Sequence, residues 1–522
     1  MTPRRALLLL VVVAVLGATP WVLGHLDATR FHEAVASATT LLHETKALDT
    51  LPDTTFAARQ RALAQTARET RKALQEFTRQ TEAVQRAKAT AFLDLAEVNL
   101  RLDAWQQSED CLLLARSADL ADERALDATQ RARCELEIGA LRLRNGRVDA
   151  AMQSAEAATE LLTGPPTDDA TCVVWARARR MTAECHLRRR DRELANATLQ
   201  TAETELGKWP PHDGRRDHEL AATLMLRATA LAGADLTSAT EQLLRRAVLA
   251  ASAAHRVDPR NTEFALGLTA SQRTLGHALL RLDKPAAAIE LARSALNTDQ
   301  ELRLRHPNAP RTRLAHVLDR ALLAEALGHA GGQESATARR LAAEARQDSE
   351  ALVKRCPGDI DVLLARARTL RVQAFLASAA KDLTAARELH REHTMARHDI
   401  TTRTGNHAAH FFALSQARVE LGRCLLALGD LDAAAPALGG ALLELRELPE
   451  DPAMERVRAA AALLSITVSI RRADLDGAFA ELEKMTAAGD LTRAQLDSAP
   501  ELAPLRRDPR FRRIRASSNG RK

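Results

Sequence analysis

The densest run of potential metal ligands in the chain is His390, His393, His398, His407 and His410. His390 and His393 lie three apart, on one face of a helix, and His407 and His410 repeat that spacing in the next helical segment. Zinc centres are assembled from such pairs together with further nitrogen, sulfur or oxygen ligands. No cysteine joins these histidines, and they read as exposed loop and helix-end side chains, so no metal and no cofactor is expected. Catalytic constellations are missing as well. The chain has no HExxH, no GxSxG and no Walker loop, and its 22 glycines fall mostly in turns. No segment gathers an acid, a base and a nucleophile, so the chain is not read as an enzyme. The six cysteines, Cys111, Cys134, Cys172, Cys185, Cys356 and Cys424, form no CxxC and sit inside helical patterns, where a free thiol behaves as a small apolar side chain.

The elements that would position any site are helices. Apolar residues make up 46% of the 522, aromatics only 3%, and there is no tyrosine. The apolar content is therefore mostly Ala and Leu, both strong helix formers. The net charge of +6 is spread among interspersed acidic residues, with no long basic arm for nucleic acid. Arg506, Arg507, Arg510, Arg512, Arg513 and Arg515 form a basic ending, read as a frayed, solvated tail. At the other end, Ala6–Gly24 gives 19 residues without a charge, close to the roughly 20 needed to span a bilayer. Arg4 and Arg5 precede it, Trp21 suits the interface, and the cleavage sites are poor. Residues 1–26 are read as an uncleaved signal anchor in a bacterial inner membrane, with the remainder on the periplasmic or extracellular side.

Beyond the anchor, small residues recur at fixed intervals. Gly276 is followed after twelve residues by Ala288 and after seven more by Ala295. Gly422, Ala434 and Ala441 repeat both intervals, as do Gly139, Ala151 and Ala158. Further copies are Ala183, Ala195, Ala202 and Ala326, Ala338, Ala345; Ala374 with Ala386 and Ile466 with Ala478 keep only part of the spacing. Antiparallel helices approach closely only where side chains are small. Each copy therefore predicts two helices joined by a tight turn, as at Asn145–Asp149 and Gly429–Asp432. Pro259, Pro357 and Pro449 lie 17 residues before Gly276, Ala374 and Ile466, and Gly405 holds that place before Gly422. They mark helix starts, where Pro fits the first turn, and make the first helix of each pair about 20 residues or roughly 30 Å long.

These segments resemble tetratricopeptide repeats from roughly Gln85 to Ala488. The resemblance implies an all-α, right-handed superhelical solenoid of about nine antiparallel helix pairs. The family's bulky aromatics are replaced by residues such as Leu279 and Leu425, and the period is longer than the usual 34. The longer form, with Asp258-Pro259 and His306-Pro307 breaks and the ending Glu501–Ile514, resembles the extracytoplasmic tails of bacterial eukaryotic-like serine/threonine kinases. The kinase itself is absent, since no VAIK-like lysine, HRD or DFG is present. Four regions follow: 1–26, the anchor; 27–84, a helical hairpin or stalk with a Phe56, Leu63, Phe77, Val84 stripe; 85–488, the array; and 489–522, a cap and basic tail. In the cap, Leu502, Leu505, Phe511 and Ile514 would cover the last pair.

In this architecture the first helix of each pair lines the concave side, with residues three and six before the small residue pointing inward. Those eighteen positions include Arg133, Arg177, Arg180, Arg273, Arg320, Arg368 and Arg371, whereas the overall share of Lys and Arg predicts about three, and Arg423 extends the row. Arginine forks onto carboxylates. The expectation is a membrane-anchored, non-enzymatic scaffold that takes an acidic peptide or protein in its groove and no nucleic acid. The alternative is the ligand-sensing part of a bacterial signalling system whose kinase or cyclase is another chain. Oligomeric state is not legible.

Overall fold

The computed structural model describes residues 29–45, 48, 53–77, 81–101, 105–121, 126–162, 168–209, 214–232, 237–404, 408–448 and 452–517. The expected anchor, together with Gly405, His407 and Pro449, lies outside the described residues. Among the described residues there is no strand, and no helix is long and apolar enough to cross a membrane. They divide into two compact units: residues within 1–143, 147–185 and 306–309, and residues within 144–146, 186–305 and 310–522.

The first unit is built on α1 (29–45), α2 (Asp53–Glu76), α3 (Glu82–Arg101), α4 (Trp105–Ala121), α5 (Ala128–Arg144), α6 (Val148–Leu161) and most of α7 (Asp169–Arg188). Phe31 of α1 stacks on Phe77 just after α2, with ring centroids 4.4 Å apart. Leu63, Leu74 and Phe77 share one core with Phe92 and Leu95 of α3.

The second unit holds α8 (Arg192–Lys208), α9 (Arg215–Leu231), α10 (Ser238–Val257), α11 (Thr262–Arg281), α12 (Pro285–Arg305), α13 (Pro310–Ala330) and α14 (Ser335–Arg355). It continues with α15 (Ile360–Ala379), α16 (Leu383–Arg403), α17 (Ala408–Leu428), α18 (Leu431–Glu447), α19 (Pro452–Arg471), α20 (Leu475–Ala487), α21 (Arg493–Ser498) and α22 (Pro509–Ser517). In the first unit α3 packs on α4, and in the second α9 packs on α10, α11 on α12, α13 on α14, α15 on α16, α17 on α18 and α19 on α20. The odd-numbered helices α11 to α19 are 20 or 21 residues long, the length the Pro and Gly breaks predict.

The small residues are where the helices meet. Ala151, Ala158, Ala288, Ala295, Ala434 and Ala441 are all completely buried, and so are Ala374, Ala386, Ile466 and Ala478 of the incomplete copies. The glycines do more than face their own second helix. A Cβ on Gly276 would come within 2.7 Å of Leu322 on α13, so this glycine admits the first helix of the following pair. Gly139 likewise meets Met181 of α7, while Gly422 meets Leu438 of its own partner helix.

The turns at Arg190, Asp283, Lys381, Gly429 and Ala473 share one device. The residue at the bend has positive φ: 66° at Arg190, 56° at Asp283, 63° at Lys381, 80° at Gly429 and 58° at Ala473. The following N–H closes back five residues, as Asp382 donates to the Ala377 carbonyl and Asp430 to the Leu425 carbonyl, each at 3.0 Å. This satisfies carbonyls left open at the helix end. Asp191, Asp382, Asp430 and Asp474 then cap the next helix by accepting a backbone N–H. Between pairs, Pro259 and Pro357 sit before the helix rather than in its first turn. The caps there are Asn261 and Asp359, whose side chains each accept two backbone N–H groups.

The basic ending is folded, in contrast to the frayed tail expected for it. Leu502, Leu505, Phe511 and Ile514 are buried against Ile466, Phe479 and Leu482, closing the apolar end of the last pair. Arg510 lies 4.0 Å above the Phe479 ring and pairs with Asp476 at 2.6 Å, and Arg515 pairs with Asp497 at 2.5 Å.

Candidate functional site

Within the second unit, successive first helices pack directly at α9–α11, α11–α13, α13–α15 and α17–α19. Helices α15 and α17 make little direct contact, and a cavity of about 600 Å³ opens at that step. Seven residues after the small Ala386, where other pairs carry Ala295, Ala345 or Ala441, α16 carries His393, so an imidazole stands at this step in place of a methyl group.

The cavity wall is cationic. Arg281, Arg368, Arg371, Arg397, Arg423 and Arg456 line it against two carboxylates, Glu325 and Glu420. Glu325, one residue before Ala326 on α13, accepts from Arg368 at 2.6 Å and from Arg371 at 2.5 Å. Burial favours its neutral form, but the two guanidiniums outweigh burial and hold the carboxyl down at about 2. Arg368 also approaches Nδ1 of His277 at 2.9 Å, and burial together with that charge keeps the imidazole neutral. Arg423 is exposed and makes no hydrogen bond or ion pair among the described residues. Arg397 donates Nε–H to Nε2 of His393 at 3.2 Å. Burial pushes the Arg397 guanidinium down to about 10, with Arg371 and Arg368 adding to the shift, so it stays charged near neutrality.

The expected arginines separate into three groups. Arg368, Arg371 and Arg423 come together in this cavity, along with Gln416, Val419 and Ala460 from the same register positions. Arg273 and Arg320 are in the second unit but engaged elsewhere. Arg273 donates to Asp319 at 2.7 Å, and Arg320 donates to Asp348 of its own partner helix at 2.9 Å. Arg133, Arg177 and Arg180 belong to the first unit, the first two exposed and the third half-buried.

Counting only positions three and six before each small residue misses Glu325, Glu420 and Arg397. The last comes from a second helix and reaches the cavity because α15 and α17 part. The histidines also differ from expectation. His398 is exposed and His410 half-buried, but His390 and His393 are 7% and 2% exposed and turned inward. The signal for His393 was in the sequence, since it occupies a repeat position that is alanine at Ala158, Ala202, Ala295, Ala345 and Ala441, though methionine at Met485.

No family model matches the chain, and no curated protein matches it. Among solved structures, the chain is similar to a Rap protein complexed with competence and sporulation factor, at a TM-score of 0.46 and 13% identity over 79% of this chain and 98% of that one. It is also similar to a signal transduction ATPase with numerous domains from Pyrococcus horikoshii, which carries a tetratricopeptide repeat sensor, at a TM-score of 0.41 and 12% identity over 72% of this chain and 54% of that one. For yeast Tom70 the TM-score is 0.25 and the identity 11%, over 80% and 99% of the two chains. The helix pairs and their buried small residues make the fold of this chain tetratricopeptide-like.

Proposed function

We propose that this chain is a non-enzymatic interaction protein that takes the carboxylates of an acidic peptide or protein surface in the cavity between α15 and α17. One observation carries the reading: six arginines face two carboxylates around a single cavity of about 600 Å³. Such an excess of like charge around a concavity raises the local concentration of anions and speeds their arrival. Guanidiniums then hold carboxylates through paired N–H donors. The uncharged stretch Ala6–Gly24 behind Arg4 and Arg5 supports a membrane tether, with the helical part on the periplasmic or extracellular side. The likeness of the repeat breaks and ending to kinase tails supports a sensor or scaffold role without the catalytic half.

A second reading rests on the size of the cavity, which falls in the range of small-molecule sites. In it, a small anion is the signal for a kinase or cyclase on another chain. Anisotropy titration with a short labelled Glu-rich peptide, its Lys-rich counterpart and a panel of small carboxylates and phosphates separates these. The scaffold reading expects the Glu-rich peptide to bind with strong salt dependence and the Lys-rich peptide to be silent. Saturable binding of a small anion alone favours the sensor, and equal binding of both peptides contradicts both readings.

A further inference from the structure

Three buried polar atoms converge at the back of the cavity without a protein partner. His390 and His393 leave α16 on one face toward α17, and each Nδ1 lies 3.9 Å from Oε2 of Glu420. One ligand atom from each of the three residues lies within 4.8 Å of the other two. None of them has a hydrogen-bond partner among the described residues, and the two histidine side chains are only 8% and 3% exposed. Buried polar atoms are nearly always paired, so three unpaired ones aimed at one point mark a ligand position. The point is reachable: His393 and Glu420 line the 600 Å³ cavity, and His390 and Glu420 line a neighbouring one of about 350 Å³.

We propose that His390, His393 and Glu420 bind a divalent transition ion, with Zn²⁺ the best fit, through Nδ1, Nδ1 and Oε2, its fourth position open to the cavity. Two imidazole nitrogens and one carboxylate oxygen with an open position form a ligand set zinc accepts. With bonds of about 2.0–2.2 Å, tetrahedral ligand atoms stand about 3.4 Å apart, so the two 3.9 Å edges contract by roughly half an ångström. Side-chain rotation supplies that.

Two neighbours shape the affinity. Arg397 donates to Nε2 of His393, which fixes the ring proton of the metal-free protein on Nδ1. Metal at Nδ1 moves that proton to Nε2, so Arg397 has to turn away. The guanidiniums of Arg368, Arg371, Arg397 and Arg423 also oppose a bare dication, and the further carboxylate of Glu325 acts on Glu420 from across the cavity lining. An anion at the open position relieves this, so metal and anion strengthen each other's binding.

The test is titration of the chelator-treated full chain in detergent with Co²⁺, read by its visible ligand-field band, and displacement by Zn²⁺. One equivalent is expected. His393→Ala and Glu420→Gln are each expected to lose more than about a hundred-fold in affinity, beyond what loss of an outer-shell partner causes. Arg397→Gln is expected to tighten binding about ten-fold, because the glutamine carbonyl accepts the Nε2–H of the metal-bound ring. Circular dichroism of each variant checks folding. If His393→Ala unfolds, the parent and Arg397→Gln decide. A folded parent that binds no Co²⁺, undiminished binding in a folded His393→Ala chain, or weaker binding in Arg397→Gln overturns the proposal. Each readout uses metal alone and is independent of any acidic peptide.

Discussion

Arg371 donates to Oε1 of Glu325 at 2.5 Å and so ties α15 to α13 at the wall of the cavity. Arg368 takes the other oxygen at 2.6 Å, leaving one carboxylate between two guanidiniums. Glu325→Gln removes the only negative charge in that clamp while keeping its shape. The expected cost is about 2–3 kcal/mol, somewhat below that of a fully buried pair because both arginines are partly exposed. An acidic peptide should bind the same variant more tightly. Thermal denaturation and peptide titration on one preparation check both signs. The pH dependence follows from the carboxyl being held at about 2 against an ordinary 4.5. Its stabilising contribution is complete above pH 4.5 and is lost as pH falls through 2.

A second carboxyl behaves in the opposite way. Asp299 of α12 and Asp319 of α13 are both fully buried, and Arg273 reaches only Asp319. Burial, with the charge of Asp319 second, pushes Asp299 up to about 9 from 3.8. The folded chain therefore keeps a proton there that the unfolded chain has released. That contribution is complete below pH 3.8 and is lost as pH rises toward 9. Asp299→Asn should flatten the fall in melting temperature between about pH 5 and about pH 9 and stabilise the chain at the alkaline end. An unchanged slope in a pH series of melts would sink this assignment.

The turns make a third prediction. Lys381 and Ala473 hold the left-handed conformation that Gly429 holds in the equivalent bend. A side chain there costs roughly 1–2 kcal/mol. Lys381→Gly and Ala473→Gly should each raise the denaturation midpoint, by about 1 kcal/mol once the extra freedom of the unfolded chain is counted, and Gly429→Ala should lower it by a similar amount.

The cap is tested by Phe511→Ala. Phe511 is 4% exposed and packs with Leu482 and Ile466. Its loss is expected to cost about 3 kcal/mol, and hydrogen exchange should show α20 opening first.

What the sequence disclosed follows from where its constraints are local. The Gly276, Ala288, Ala295 spacing and its copies predicted buried contact points, and those residues are buried because a larger side chain would separate the helices. Helix length was legible from the Pro breaks, though capping falls to Asn261 and Asp359. The site was only partly legible. Arg368 and Arg371 follow the register into the cavity, whereas Arg273 and Arg320 at equivalent positions are drawn off by Asp319 and Asp348, partners that no spacing announces. Arg397 and the inward turn of His390 and His393 depend on the parting of α15 and α17, a tertiary event. It is foreshadowed only by a histidine standing where alanine recurs.

The central claim is that the cavity's positive charge binds acidic chains, and Arg423 tests it most cleanly. It is exposed, has no ion pair among the described residues, and its loss leaves no buried carboxylate alone. The measurement is the affinity of a labelled Glu-rich peptide for the parent and for Arg423→Ser across a salt series. The account predicts about ten-fold weaker binding by the variant at low salt and a shallower salt dependence, since one guanidinium contact is lost. Equal affinities with the same salt dependence would contradict it.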